Sequence, residues 1–194
     1  MKMTPVIYQI KISLEGIQPE IWRRLFIQGD LFLHDFHKII QTTMGWENIH
    51  LHQFLKNGRI FGIADNEPES PDLFMDYTSI RVMDLLKREG DTIGYLYDFG
   101  DSWLHKIELE IIEPFDQDMF YPVCIDGERA CPPEDCGGVP GYNDLTLIMA
   151  HPGHPRRDEM EEWLGDDYDP EEFDADAVNS YLLEDDFGCL PYLD

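Results

Sequence analysis

TIGYLYDFGDSWLHKIELEII, Thr92 to Ile112, decides how this chain folds. Thr92 to Phe99 and Ser102 to Ile112 read as two strands joined at Gly100-Asp101, residues suited to a tight turn. Positions 103, 105, 107 and 109 share one face of the second strand, so His105 lies with Trp103, Ile107 and Leu109. Upstream, Val6, Tyr8, Ile10, Ile12 and Leu14 alternate as in a half-buried strand, and Gly16 to Pro19 breaks it. Ile21 to Ile27 reads as a second strand, and Leu33 to Met44 has helical spacing ending at Gly45. Leu51 to Leu55 and Arg59 to Ile63 flank Asn57-Gly58, a strong hairpin signal. After a polar loop, Asp65 to Asp72, Ser79 is positioned to cap a helix running through Val82, Leu85 and Leu86 to Gly90.

From Glu113 to Pro140 the periodicity vanishes among prolines, glycines and three cysteines. Tyr142 to Ala150 and Asp158 to Leu164 then read as helices. Asp169-Pro170 and Asp174 are the expected starts of two more. This order predicts an α+β class: an antiparallel sheet of hairpins, helices packed mainly on one face, and a helical acidic C-terminal segment. One domain over 1–194 is expected, with a core at 1–113, a Cys/Pro/Gly-rich loop at 114–141 and acidic helices at 142–194.

The net charge is −26, and residues 158–194 hold 15 acidic residues and no basic one. Such a surface repels phosphate backbones, so specific duplex DNA binding is not expected. No apolar run approaches the roughly 18 residues of a membrane span, and the N-terminus does not read as a signal peptide. A cytoplasmic protein with a protein or small-molecule ligand, and no membrane partner, is the expectation.

Four stretches carry groups with chemistry. In PEIWRRLFI, Arg23 and Arg24 are adjacent on a strand and point to opposite faces, so one needs a partner near the covered face. In HDFHKIIQTTMGWENIHLHQF, His34 and His37 share a helix face, while His50 and His52 share a strand face. In YLYDFGDSWLHKIELE, Asp98 and Asp101 bracket a glycine turn near His105. In CIDGERACPPEDCGGVPGY, Cys124, Cys131 and Cys136 flank Glu134-Asp135 at a spacing without the C-x2-C knuckle of common zinc sites.

Each stretch also has a plainer structural account: an ion pair, satisfied histidines, aspartates bonding their own turn, buried cysteines. The functional account gathers His37, His50, His52, Asp98, Asp101, His105, Glu134, Asp135, Arg23 and Arg24 around one cleft. A divalent metal such as zinc would sit on Cys124, Cys131 and Cys136 with His105. His151 and His154 are alternative fourth ligands. Asp166, Asp167 and Asp169 suggest calcium but lack an EF-hand's glycine and closing glutamate. Walker, G-x-G-x-x-G, G-x-S-x-G and H-E-x-x-H signatures are absent from the sequence.

These stretches, together with GERACPPEDCGG and WLGDDYDPEEFDADAVN, resemble the plasmid pRiA4b ORF-3-like family along nearly the whole chain. The resemblance implies a single α+β domain without an established activity. Some relatives carry a transposon-resolvase label, and others are fused to small zinc-binding modules, which implies an adaptor role. The residues here argue against a resolvase: Ser13 lies in a strand, bases are few, and the C-terminal region is the most acidic. The expected function is therefore a binding or adaptor domain with a His/Asp/Cys-lined cleft. The alternatives are a metal-dependent hydrolase or nuclease-like enzyme and, third, an accessory of mobile elements. No catalytic residue is assigned.

Overall fold

The computed structural model describes residues 5–63, 73–165 and 168–192. Its strands are β1 (Val6–Leu14), β2 (Trp22–Gln28), β3 (His52–Lys56), β4 (Arg59–Gly62), β5 (Phe74–Asp76), β6 (Thr92–Tyr97), β7 (Trp103–Pro114) and β8 (Val123–Glu128). Its α-helices are α1 (Leu33–Met44), α2 (Val82–Leu85), α3 (Gly138–Ala150), α4 (Arg157–Leu164) and α5 (Ala175–Leu182). The strands form one sheet in the order β5-β4-β3-β6-β7-β1-β2-β8. Every pairing is antiparallel except β4 with β5.

The β6–β7 hairpin is the sheet's centre. Tyr97 pairs with Trp103, Tyr95 with His105 and Ile93 with Ile107. Along β7 the burial alternates: Trp103, His105, Ile107 and Leu109 are buried, while Leu104 and Lys106 are exposed. The opposite face of the sheet carries the ion pairs Lys11–Glu20, Arg24–Glu110 and Lys106–Glu108. Ile10, Ile12, Leu25 and Ile27 fill the covered face with no exposure, each contributing about 1.5–3 kcal/mol by leaving water. Helix α1 packs there through Leu33, Phe36, Ile39 and Ile40, with Phe36 stacked on Phe54 at 6.0 Å. Gly45, at φ 87°, ends the helix in the left-handed conformation that glycine adopts without strain.

Five elements differ from the sequence reading, one of them the three-residue strand β5, which pairs parallel with β4 where no strand was expected. Strand β8 lies within the stretch expected as a loop. Its sequence has no alternation of its own, and the free edge of β2 supplies its pairing, with Leu25 opposite Cys124. Helix α3 begins at Gly138 rather than near Tyr142. Helix α2 is a single turn, closed by the Asp84 carboxylate accepting from the Arg81 N–H at 2.9 Å, not by Ser79. Asp169-Pro170 makes a turn in which Asp169 accepts from the Glu171 N–H, and no helix starts at Pro170. Asp174 caps α5 as expected, accepting from the N–H groups of Asp176 and Ala177 at 2.9 and 3.0 Å. The Asp65–Asp72 loop, apart from its neighbours, and Asp166 and Asp167 lie outside the described residues. Among the described residues no helix is long and apolar enough to cross a membrane.

Candidate functional site

A cleft of about 810 Å³ opens where α1 meets β3 and β4, and the segment Asp186–Tyr192 forms its far wall. His34, His37, His50 and His52 all line it, with Leu51, Ile60 and Phe99 among its apolar walls. The helical spacing of His34 and His37 turns both toward the cleft. His37 is buried and its ring lies flat on that of His52.

A hydrogen-bond chain sets the His37 tautomer. The Tyr95 hydroxyl accepts from Gln41 Nε2 at 2.9 Å and, because Asn48 Oδ1 can only accept from His37 Nε2, gives its own proton to His37 Nδ1, also at 2.9 Å. His37 Nε2 carries the ring proton and donates to Asn48 Oδ1 at 2.9 Å. Asn48 in turn donates to the Leu190 carbonyl at 2.9 Å, which ties the wall segment to the floor. Burial lowers the His37 pKa to about 4 and holds that of His52 well below its usual value, with His37 adding to the latter effect. Both rings are neutral at physiological pH.

At one end of the cleft His50, in the bend before β3, meets three carboxylates. Its Nε2 lies 3.2 Å from Asp135 Oδ1, 3.7 Å from Asp98 Oδ2 and 3.8 Å from Glu134 Oε2. The Asp135 contact is close but not aligned as a hydrogen bond. His50 Nε2 and Glu134 Oε2 are both buried without a hydrogen-bond partner among the described residues.

The loop bearing Glu134 and Asp135 is pinned from several sides. Trp46 Nε1 donates to the Pro132 carbonyl at 3.0 Å, and the Glu47 N–H and the Tyr97 hydroxyl both donate to Glu134 Oε1 at 3.0 Å. Asp101 Oδ2 accepts from the Gly137 N–H at 2.9 Å. Burial raises the Glu134 pKa against the opposing hydrogen bonds of Glu47 and Tyr97. Asn48, Asp98 and Asp135 all adopt positive φ, 57°, 53° and 57°, a conformation that Asn and Asp tolerate better than most residues.

The structure thus brings together His50, Asp98, Glu134 and Asp135, with Asp101 clamping the loop behind them. His37 and His52 form the adjoining floor. His105 is placed elsewhere. It has no exposure, its Nδ1 donates to the Tyr95 carbonyl at 3.2 Å, and Trp46 and Tyr95 pack against it. Burial lowers its pKa to about 4.

Arg23 and Arg24 do take opposite faces. Arg24 pairs with Glu110 at 2.8 Å and Asp126 at 3.2 Å. Arg23, buried, finds no carboxylate among the described residues. It donates instead to the carbonyls of Thr43, Trp22 and Glu128, and its guanidinium lies 4.0 Å from the Phe173 ring centroid.

The set Cys124, Cys131, Cys136 and His105 does not converge. Among the described residues the group with metal-ligating atoms all within 4.8 Å of one another is His50, Asp98 and Asp135. Cys124 sits in β8, its backbone bracketed by Asn179, and burial raises its thiol to about 11. Burial likewise raises the Cys131 and Cys136 thiols, so none is a ready thiolate. His151 and His154 bond within their own turns, to the Leu147 carbonyl and the Arg156 N–H. Tyr77, Tyr97 and the Cys189–Tyr192 wall are site components that sequence reading missed. For Tyr97, its inward position opposite Trp103 was the available signal. The wall had none.

The sequence model described as plasmid pRiA4b ORF-3-like protein matches residues 6–177. This span includes the whole His50 cluster and stops short of the Cys189–Tyr192 wall. An uncharacterized protein, y4hQ from Sinorhizobium fredii, is 33% identical over 170 residues, covering 86% of either chain. A crystal structure of a protein of unknown function, MM3350 from Methanosarcina mazei Go1, aligns with TM-score 0.81 and 35% identity, covering 91% of this chain and 99% of that one.

Proposed function

Since this chain belongs to the plasmid pRiA4b ORF-3-like family, we propose that it is a cytoplasmic binding domain of adaptor type whose ligand occupies the histidine-lined cleft. The observation that carries this reading is the neutral His37–His52 pair lying in a cleft of about 810 Å³, within the usual size for small-molecule sites, about 300–1,000 Å³. Neutral imidazoles offer an aromatic surface without charge, their orientation fixed because both His37 nitrogens bond Tyr95 and Asn48 and His52 Nε2 bonds the Tyr77 hydroxyl. A small organic ligand with a planar apolar part fits that surface. The acidic character of the chain speaks against a DNA-acting accessory role, and four free cysteines suit a reducing compartment. A metal-dependent hydrolase is the second reading, favoured only by the carboxylates around His50.

The test is a screen of planar aromatic fragments by NMR on the full chain. Binding should move the imidazole resonances of His37 and His52. Leu51→Trp, at an exposed position on the wall, should weaken it at least about ten-fold by filling the cleft. Hits that leave both imidazoles unmoved, or that ignore Leu51→Trp, would sink the reading.

A further inference from the structure

We propose that His50, Asp98, Glu134 and Asp135 form a binding site for one divalent transition-metal cation, zinc or manganese. The site stands on its own ligand atoms and does not rest on what fills the cleft.

Three observations carry it. First, side chains from three separate segments gather at His50: one ligand atom each of His50, Asp98 and Asp135 lies within 4.8 Å of the other two, and Glu134 Oε2 adjoins His50 Nε2. The separations from His50 Nε2 are 3.2, 3.7 and 3.8 Å. Ligand bonds of about 2.0–2.2 Å place neighbouring donor atoms roughly 3–3.5 Å apart, so only small adjustments separate these atoms from a coordination sphere.

Second, the inner atoms have no other use. His50 Nε2 and Glu134 Oε2 are buried without hydrogen-bond partners among the described residues. Asp98 is only 6% exposed, and while its Oδ1 accepts from the Gly100 N–H at 2.8 Å, its Oδ2 points toward His50 with no donor among the described residues. Buried polar atoms are normally paired, and unpaired ones call for a specific cause. Here the unpaired atoms face each other, and with His50 Nε2 deprotonated each has a lone pair to give a cation.

Third, the other ends of these groups are fixed. Glu134 Oε1 accepts from the Glu47 N–H and the Tyr97 hydroxyl, and Asp98 Oδ1 is held by its own turn. Such outer bonds orient metal-ligating carboxylates. Asp135, more exposed, closes the site toward solvent.

The donor set indicates the ion. One imidazole nitrogen favours a first-row transition metal over calcium or magnesium, which take oxygen donors, and three carboxylates favour a dication over a soft ion. The buried thiols of Cys131 and Cys136 are not part of the set.

The full chain, stripped with chelator, is titrated calorimetrically with Zn2+, Mn2+, Ca2+ and Mg2+ in turn. One equivalent of Zn2+ should bind with micromolar or tighter affinity, and Mn2+ more weakly, in keeping with the general affinity order of these ions. Ca2+ and Mg2+ should bind at least about ten-fold more weakly than Zn2+. His50→Phe and Glu134→Gln should each weaken Zn2+ binding about 10–100-fold or more. Cys131→Ser should leave it unchanged.

Nitrogen-15 NMR on the wild-type chain supplies a readout independent of variant folding: Zn2+ should shift the His50 Nε2 resonance. A protonated His50 Nε2 at neutral pH that Zn2+ leaves unmoved would mean a plain ion-pair network and would overturn the proposal. So would Zn2+ affinity that survives both variants, or that is lost in Cys131→Ser.

Discussion

The imidazoles of His37 and His52 lie face to face, ring centroids 3.4 Å apart and planes within 4°. That arrangement suits two neutral rings. A proton on either would be buried, and the second ring would repel a second charge.

The first prediction follows from this pair. The His37 ring resonances should stay constant from pH 8 down to about 5.5 and titrate only near pH 4, the value that burial imposes. Nitrogen-15 shifts should report the Nε2–H tautomer, because the Tyr95 hydroxyl donates to Nδ1. A midpoint at pH 6 or above would contradict the buried, hydrogen-bonded ring.

His105 makes the chain acid-sensitive. Its pKa is about 4 when folded against about 6.5 when unfolded. The unfolded chain therefore binds the proton more tightly, and stability falls as pH drops from about 6.5 toward about 4. This residue's share of the slope is about 1.4 kcal/mol per pH unit. His105→Phe should lose that share, so its melting temperature should fall less between pH 6.5 and pH 5 than that of the wild type. Parallel curves for the two proteins would refute the assignment.

Gly138 seats the acidic loop against the central hairpin. Its φ is 67°, and a Cβ there would meet the Asp101 carbonyl oxygen at 2.5 Å. Gly138→Ala adds left-handed strain of about 1–2 kcal/mol and an overpacking cost of about 1–3 kcal/mol. At about 2–4 °C per kcal/mol for a chain of this size, melting should fall by about 5–15 °C. Gly153→Ala, where a Cβ meets nothing within 4 Å, should change little. Equal melting of the two variants would show that the loop is not held as described.

The charge of −26 predicts no sequence-selective duplex DNA binding at nanomolar protein in about 0.15 M salt. A gel shift that selects one duplex over others under those conditions would reverse this.

Strand alternation made much of the sheet legible. Side chains in a strand change face at every residue, so Val6–Leu14 and Trp103–Leu109 declare a buried side locally, and Arg23 and Arg24 had to part. The Leu33–Met44 helix and the Asn57-Gly58 hairpin were readable for the same reason: period and turn chemistry are properties of neighbouring residues. Strand β8 was not, because its pairing comes from β2, about a hundred residues away in the chain.

The site divides along the same line. The sequence by itself determined which residue types were on offer: paired histidines, turn aspartates and an acidic loop between prolines. Only the tertiary structure decided that His50, and not His105, meets Asp98. Two residues beyond Trp103 the strand's parity turns His105 inward against Tyr95 and Trp46. At the turn itself Asp98, at φ 53°, departs from that alternation. Its carboxylate faces a bend from one segment and a loop from another, and contacts between segments this far apart leave no period in a sequence to read.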